Sequence, residues 1–287
     1  MKIDPDIRLK LPPLRLILLT LATLTAFAGN SLLCRLALKH TAIDAASFTT
    51  LRLVSGALVL WLITLGRKAA TGSRGNWLSA FALFAYAAAF SIAYLSLPVA
   101  TGALLLFGAV QSTMIGYGIW RGERLRLLRI IGISLAILGL VGLLLPGLSA
   151  PPPGGSALML LAGVAWGIYT LRGKTAGDPI QVTAGNFLRA APMAVALSAA
   201  TLQHLELDPA GIGYALASGA LASGIGYVIW YTVLPHWPTS TAATLQLSVP
   251  VIAAIGGILF LGEPITLRLF LASVTILGGI ALVMLTK

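Results

Sequence analysis

Ten runs of mainly apolar residues, joined by short links, fill almost the whole chain. They lie at about 14–34, 45–65, 77–97, 99–120, 128–146, 156–172, 181–203, 212–234, 239–261 and 267–285. A helix needs roughly 20 such residues to cross a bilayer. Composition agrees: 58% of residues are hydrophobic and 9% charged, against roughly 25% charged in soluble proteins. A water-facing globule of this size cannot hide that much apolar surface. The reading is therefore an all-α polytopic membrane protein with ten transmembrane helices, its surface facing the lipid bilayer. The net charge of +11 does not imply nucleic acid, because the positive residues sit at segment ends, where membrane topology uses them. The lone Cys34 supports no disulfide framework. Lys2, Arg8, Lys10 and Arg15 followed by an apolar run and Ala26-Phe27-Ala28 resemble a signal peptide. The apolar run continues through Leu33, so an uncleaved first span is expected.

The landmarks of the chain occur twice. Arg35, Leu51, Arg52, Ala57, Leu60, Ile92, Tyr94, Leu97 and Pro98 recur at an offset of 137 as Arg172, Leu188, Arg189, Ala194, Leu197, Ile229, Tyr231, Leu234 and Pro235. After the extra residues His236, Trp237 and Pro238 the offset becomes 140. Thr101, Gly122, Glu123 and Gly139 then recur as Thr241, Gly262, Glu263 and Gly279. Two diverged copies are expected, 1–148 and 149–287, meeting at the proline-rich link 146–155. With the N-terminus in the cytoplasm, fourteen Lys and Arg residues fall inside and three (Arg35, Lys39 and Arg268) outside, so both termini are expected in the cytoplasm. Five spans per copy is an odd number. The second copy must enter the membrane inverted relative to the first, a common plan among transporters.

Two five-span halves, with Gly122-Glu123 and Gly262-Glu263 closing the fourth span of each, resemble the drug/metabolite transporter superfamily and specifically its EamA family. Within that family the chain is most similar to bacterial exporters of aromatic amino acids. The resemblance implies an exporter of amino acids in the bacterial inner membrane, working by alternating access around a central cavity. It implies no cofactor. The expected partners are a small-molecule substrate and lipid, and the expected unit is a monomer.

The acids and histidines all lie at span ends or in links. A proton-coupled carrier usually holds an ionisable group at membrane depth, so a facilitator without proton coupling is expected. An enzyme is not: there is no His-Glu-x-x-His, no Gly-x-Ser-x-Gly and no membrane-depth acid pair. Aromatic residues share helix faces: Tyr86, Phe90 and Tyr94 on span three, Trp166 and Tyr169 on span six, Tyr227 and Tyr231 on span eight. Such faces can form interfacial belts or line a cavity for apolar substrates, where burying a Phe or Trp side chain contributes roughly 1.5–3 kcal/mol. Asn30, Ser31, Gln111 and Gln246 sit in apolar runs. They can bridge helices or serve an amino acid's carboxylate and ammonium without fixed charge. Tyr94, Pro98, Pro235 and Pro250 are candidate gate or hinge residues, Pro250 because it frees the carbonyl of Gln246. Arg52 and Arg189 lie within spans, at about 3 kcal/mol on insertion scales. Their simplest role is as packing or topology anchors, able to reach an interface, and the alternative is contact with a substrate carboxylate or a gate pair. Glu123 and Glu263 are expected to accept from N–H groups at the start of the following helix. The rival substrates are quaternary ammonium compounds and nucleotide-derived metabolites.

Overall fold

The computed structural model describes residues 12–65, 75–122, 127–147, 150–173, 178–237 and 245–285. Glu123 lies outside them. The helices are α1 (Pro13–His40), α2 (Ala45–Leu65), α3 (Trp77–Tyr94), α4 (Val99–Trp120), α5 (Leu127–Leu144), α6 (Pro153–Gly173), α7 (Pro179–Ala200), α8 (Pro209–Val233), α9 (Ser248–Leu261) and α10 (Leu267–Leu285). Six of these (α1, α2, α3, α4, α6 and α8) are long and apolar enough to cross a membrane, with shorter apolar stretches in α5, α9 and α10. Helices suit a lipid setting because each satisfies its own backbone hydrogen bonds.

Local signals set where the helices begin and end. Asn76, Asp44, Asp178 and Asp208 each accept from a backbone N–H of the following first turn. Pro13, Pro179 and Pro209 occupy first-turn positions, where the missing N–H has no cost. Gly262 ends α9 with φ of +62°, a left-handed conformation that favours glycine.

The distribution of polarity is that of a membrane bundle. Leu58, Leu62, Phe81, Leu138, Phe260 and Phe270 are exposed, while Asn30, Thr49, Arg52, Ser91, Gln111 and Ser218 are buried. Apolar surface on this scale needs lipid to cover it.

Three elements depart from the expected spans. Helix α1 runs on to His40, so Arg35 is part of the helix. The ninth span was expected to start near 239; the helical run is interrupted at Leu247, three residues ahead of Pro250, and α9 proper starts at Ser248. Pro250 thus lies in a first turn, where it breaks no hydrogen bond of α9. The middle of α8, Ala217–Ile225, is π-helical rather than α-helical. The wider turn coincides with the close crossing of α2. A Cβ on Gly219 would fall 2.1 Å from both the Arg52 carbonyl oxygen and Ser55 Oγ, so only glycine fits.

The helices pack in a regular scheme. Helix α2 lies on α7 and α5 on α10; α1 meets α8 and α9, as α6 meets α3 and α4; and α2 meets α8, as α7 meets α3. The α5–α10 contact is close enough that a Cβ on Gly132 would lie 2.6 Å from the Gly279 carbonyl oxygen.

Candidate functional site

A narrow cavity of about 20 Å³ lies inside the bundle, lined by Phe27, Asn30 and Ser31 of α1, Tyr86 and Phe90 of α3, Leu106 and Phe107 of α4, Trp166 of α6 and Tyr227 of α8. Six of the ten residues expected to contact substrate meet here: Asn30, Ser31, Tyr86, Phe90, Trp166 and Tyr227. The i, i+4 spacing of Tyr86, Phe90 and Tyr94 puts them on one face of α3. Only the first two reach the cavity. Tyr94 is fully buried, stacked edge-on to Phe90 at 4.8 Å, with its hydroxyl donating to the Val99 carbonyl at 3.4 Å.

Trp166 is the hub of the aromatic wall. Its ring centre is 4.9 Å from Tyr86, 5.1 Å from Tyr227 and 5.4 Å from Tyr169. Tyr169 is buried behind it, and Tyr231 is half-buried and packed against the core. Gln111 is buried one turn beyond Phe107 and its Oε1 accepts no hydrogen bond among the described residues. Gln246 is half-buried before the Leu247 break and does not line the cavity. Phe27, Leu106 and Phe107 were missed by sequence reasoning. The signal was available: Phe27 precedes Ser31, and Phe107 precedes Gln111, by one helical turn.

Behind the wall runs a buried polar network. Ser218 Oγ donates to Asn30 Oδ1 at 2.5 Å; Asn30 Nδ2 donates to Tyr86 Oη at 3.2 Å; Arg52 Nη2 donates to the same Oη at 2.9 Å; and Arg52 Nε donates to Ser223 Oγ at 3.5 Å. It joins α1, α2 and α3 to the π-helical part of α8. Arg52 is 1% exposed: the guanidinium turns inward rather than reaching an interface. Tyr86 and Phe90 cover it, their ring centres 5.1 and 4.9 Å from its carbon. Arg189 behaves differently: its Nη1 returns to the Gly185 carbonyl of its own helix at 2.8 Å.

Two ties hold the ends of the bundle. At one, Glu263 Oε1 pairs with Arg35 Nε at 3.3 Å, and Oε2 accepts the Val99 N–H at 2.7 Å. Arg35 Nη1 also donates to the Tyr94 and Leu95 carbonyls. Glu263 was expected to serve the next helix, α10. It caps α4 instead, because the chain reverses there and brings the α9–α10 link against the α3–α4 link, at whose end Pro98 forms the N-cap position of α4. At the opposite end of α1, Trp237 Nε1 donates to Thr20 Oγ1 at 3.0 Å, just beyond the single 3₁₀ turn Leu234–His236 that contains Pro235. Pro250 lies away from the cavity, in an apolar hollow between α9 and α10.

A helical bundle with apolar residues outward and an aromatic, amide-bearing cavity at its centre is built as a polytopic membrane transporter is built. Residues 153–285 match the EamA-like transporter family. An uncharacterised Pseudomonas aeruginosa protein is 58% identical over 275 residues, covering 96% of each chain. The threonine/homoserine exporter RhtA of Escherichia coli K12 is 35% identical over 144 residues, 47% of this chain and 48% of the exporter. An uncharacterised transporter of Archaeoglobus fulgidus is 25% identical over 258 residues, 86% of this chain and 89% of the relative. A solved crystal structure shares the fold, with a TM-score of 0.64 at 22% identity over 91% of this chain and 96% of that chain. The chain belongs to the same family as the Pseudomonas protein, and its second half is an EamA-family domain of the drug/metabolite transporter superfamily.

Proposed function

We propose that the protein is an inner-membrane exporter of amino acids, carrying apolar and aromatic ones through the central cavity by alternating access. The observation that carries this reading is the cavity itself. It combines stacking rings (Trp166, Tyr86, Tyr227 and Phe90) with the amide of Asn30 and the hydroxyls of Ser31 and Tyr86. Rings bury an apolar side chain, and neutral polar groups meet a zwitterion without holding it too tightly to release. The resemblance to a threonine/homoserine exporter across 48% of that exporter's length favours a second reading, in which small hydroxyl amino acids are the substrates.

We read α1–α5 and α6–α10 as two inverted halves forming ten spans, with both termini in the cytoplasm. The main packing contacts support this: exchanging the halves converts α1–α8, α1–α9 and α2–α8 into α6–α3, α6–α4 and α7–α3, and α2–α7 and α5–α10 into themselves. Gly122 and Gly262 also share a positive φ, +90° and +62°. The placement of all eight acidic residues at span ends or in links supports transport without proton coupling.

The test is growth protection in a host lacking its own amino-acid exporters, challenged with toxic analogues of phenylalanine and of threonine and, separately, with cationic dyes. Protection against the phenylalanine analogue supports the first reading, and protection against the threonine analogue alone supports the second. Protection only against dyes refutes both.

A further inference from the structure

The hydrogen-bond inventory around Tyr86 leaves its hydroxyl with a proton to donate and no lone pair to accept. A tyrosine hydroxyl has two lone pairs and one proton. Both lone pairs are taken, by Asn30 Nδ2 and Arg52 Nη2. What remains is the proton, on a residue that lines the cavity. Asn30 has its Oδ1 engaged by Ser218 and keeps one amide proton. Arg52 Nη1 is buried and has no hydrogen-bond acceptor among the described residues. The charge is equally one-sided. Among the described residues the ion pair Arg35–Glu263 is at the bundle end, and no acidic side chain pairs with Arg52. A buried guanidinium without a counter-charge is strongly unfavourable on its own, yet two rings, a hydroxyl and a serine hold this one against the cavity wall.

We propose that this cluster is a carboxylate-recognition point. Tyr86 Oη–H is the direct donor to the substrate carboxylate, assisted by the free amide proton of Asn30. Arg52 is a positioning residue: it occupies a lone pair of Tyr86, so that the hydroxyl must donate inward, and it supplies the positive field. The orientation of the substrate follows, with its carboxylate toward α1, α2 and α3 and its side chain toward Trp166 and Tyr227. The Ser218 and Ser223 contacts place the π-helical part of α8 in the same network, so carboxylate binding is felt by a helix of the second half. This inference rests on the reading of the cavity as the transport site.

The test uses the purified full chain and three probes with one ring and three head groups: phenylacetate, phenylacetamide and phenethylamine. Binding is read by titration calorimetry for the wild type, Tyr86→Phe, Arg52→Gln and Arg52→Lys. The wild type is expected to prefer phenylacetate over the neutral amide by about tenfold or more, as a hydrogen bond to a charged group contributes. Tyr86→Phe should weaken phenylacetate binding about tenfold and phenylacetamide, whose carbonyl accepts the same proton as a neutral group, by less, so that most of the preference is lost, whereas a general packing defect would weaken both alike. Arg52→Gln should remove it as well, and Arg52→Lys should retain part of it. If Arg52→Gln does not fold, Tyr86→Phe decides. Equal binding of the three probes, no binding of any, a preference for the amine, or an unchanged preference in folded Tyr86→Phe overturns the proposal. Amino-acid counterflow by a protein without the carboxylate preference would refute this inference and leave the exporter reading standing. An Arg52-dependent preference in a protein that moves no amino acid would do the reverse.

Discussion

Replacing Glu263 by Ala tests how the two links at one end of the bundle are held together. The carboxylate is 8% exposed and Arg35 11%. The substitution leaves the Val99 N–H, at the start of α4, without its 2.7 Å acceptor; loss of such a cap costs about 1 kcal/mol. It also removes the partner of Arg35. Breaking a buried ion pair costs about 3–5 kcal/mol when the remaining charge is stranded. Here Arg35 keeps the Tyr94 and Leu95 carbonyls at 2.7 and 3.0 Å, which reduces the loss to about 2 kcal/mol. The sum, about 3 kcal/mol, corresponds to a melting temperature lower by about 6–12 °C. Glu263→Gln keeps an oxygen for Val99 and should lose about half as much. The assay is thermal unfolding of the purified protein in detergent, with Arg35→Met and the double variant completing a cycle. A Glu263→Ala protein melting within about 2 °C of wild type would refute the reasoning.

Further outcomes follow from the same structure. Gly219→Ala puts a methyl group 2.1 Å from the Arg52 carbonyl and Ser55 Oγ; because backbone must move, a loss of more than about 3 kcal/mol is expected, seen as aggregation in gel filtration. Asp44 is drawn two ways: burial pushes its carboxyl up, but hydrogen bonds from Ser47 and from the backbone N–H groups of Ser47, Glu206 and Ala46 outweigh this and hold it below the usual range. Its stabilisation is therefore full above the unfolded value of about 3.9 and is lost as pH falls through the lower folded value. Asp44→Asn should melt lower than wild type at neutral pH, with the gap closing below about pH 4. Trp166→Ala removes the ring that touches Tyr86, Tyr169 and Tyr227 and should reduce export at least tenfold or so with expression intact. Gln246→Ala, away from the cavity, should have the smaller effect in the same export assay.

How much of this was readable beforehand depends on whether the signal lay along one helix or between two. The helices were readable because lipid demands long apolar runs, and Tyr86, Phe90, Trp166 and Tyr227 were readable because helical spacing shows which residues share a face. The inward turn of Arg52 was not. Position in a span shows that an arginine is costly, whereas the direction of its side chain depends on Tyr86, 34 residues away, and on Ser223, 171 away. The π-helical stretch of α8 was hidden for a related reason. Nothing along the helix itself sets its small residues apart, and only the crossing with α2 gives Gly219 its meaning. Glu263 carried a correct chemical expectation and the wrong helix, since capping chemistry is local but the helix start brought against it is chosen by the fold.

The most direct test of the central claim is counterflow in proteoliposomes loaded with unlabelled phenylalanine or threonine, following entry of the labelled amino acid with and without an imposed proton gradient. The account predicts saturable uptake that persists without the gradient and falls sharply in Trp166→Ala. No uptake of either amino acid would contradict the exporter reading, and an absolute requirement for the gradient would contradict the facilitator mechanism.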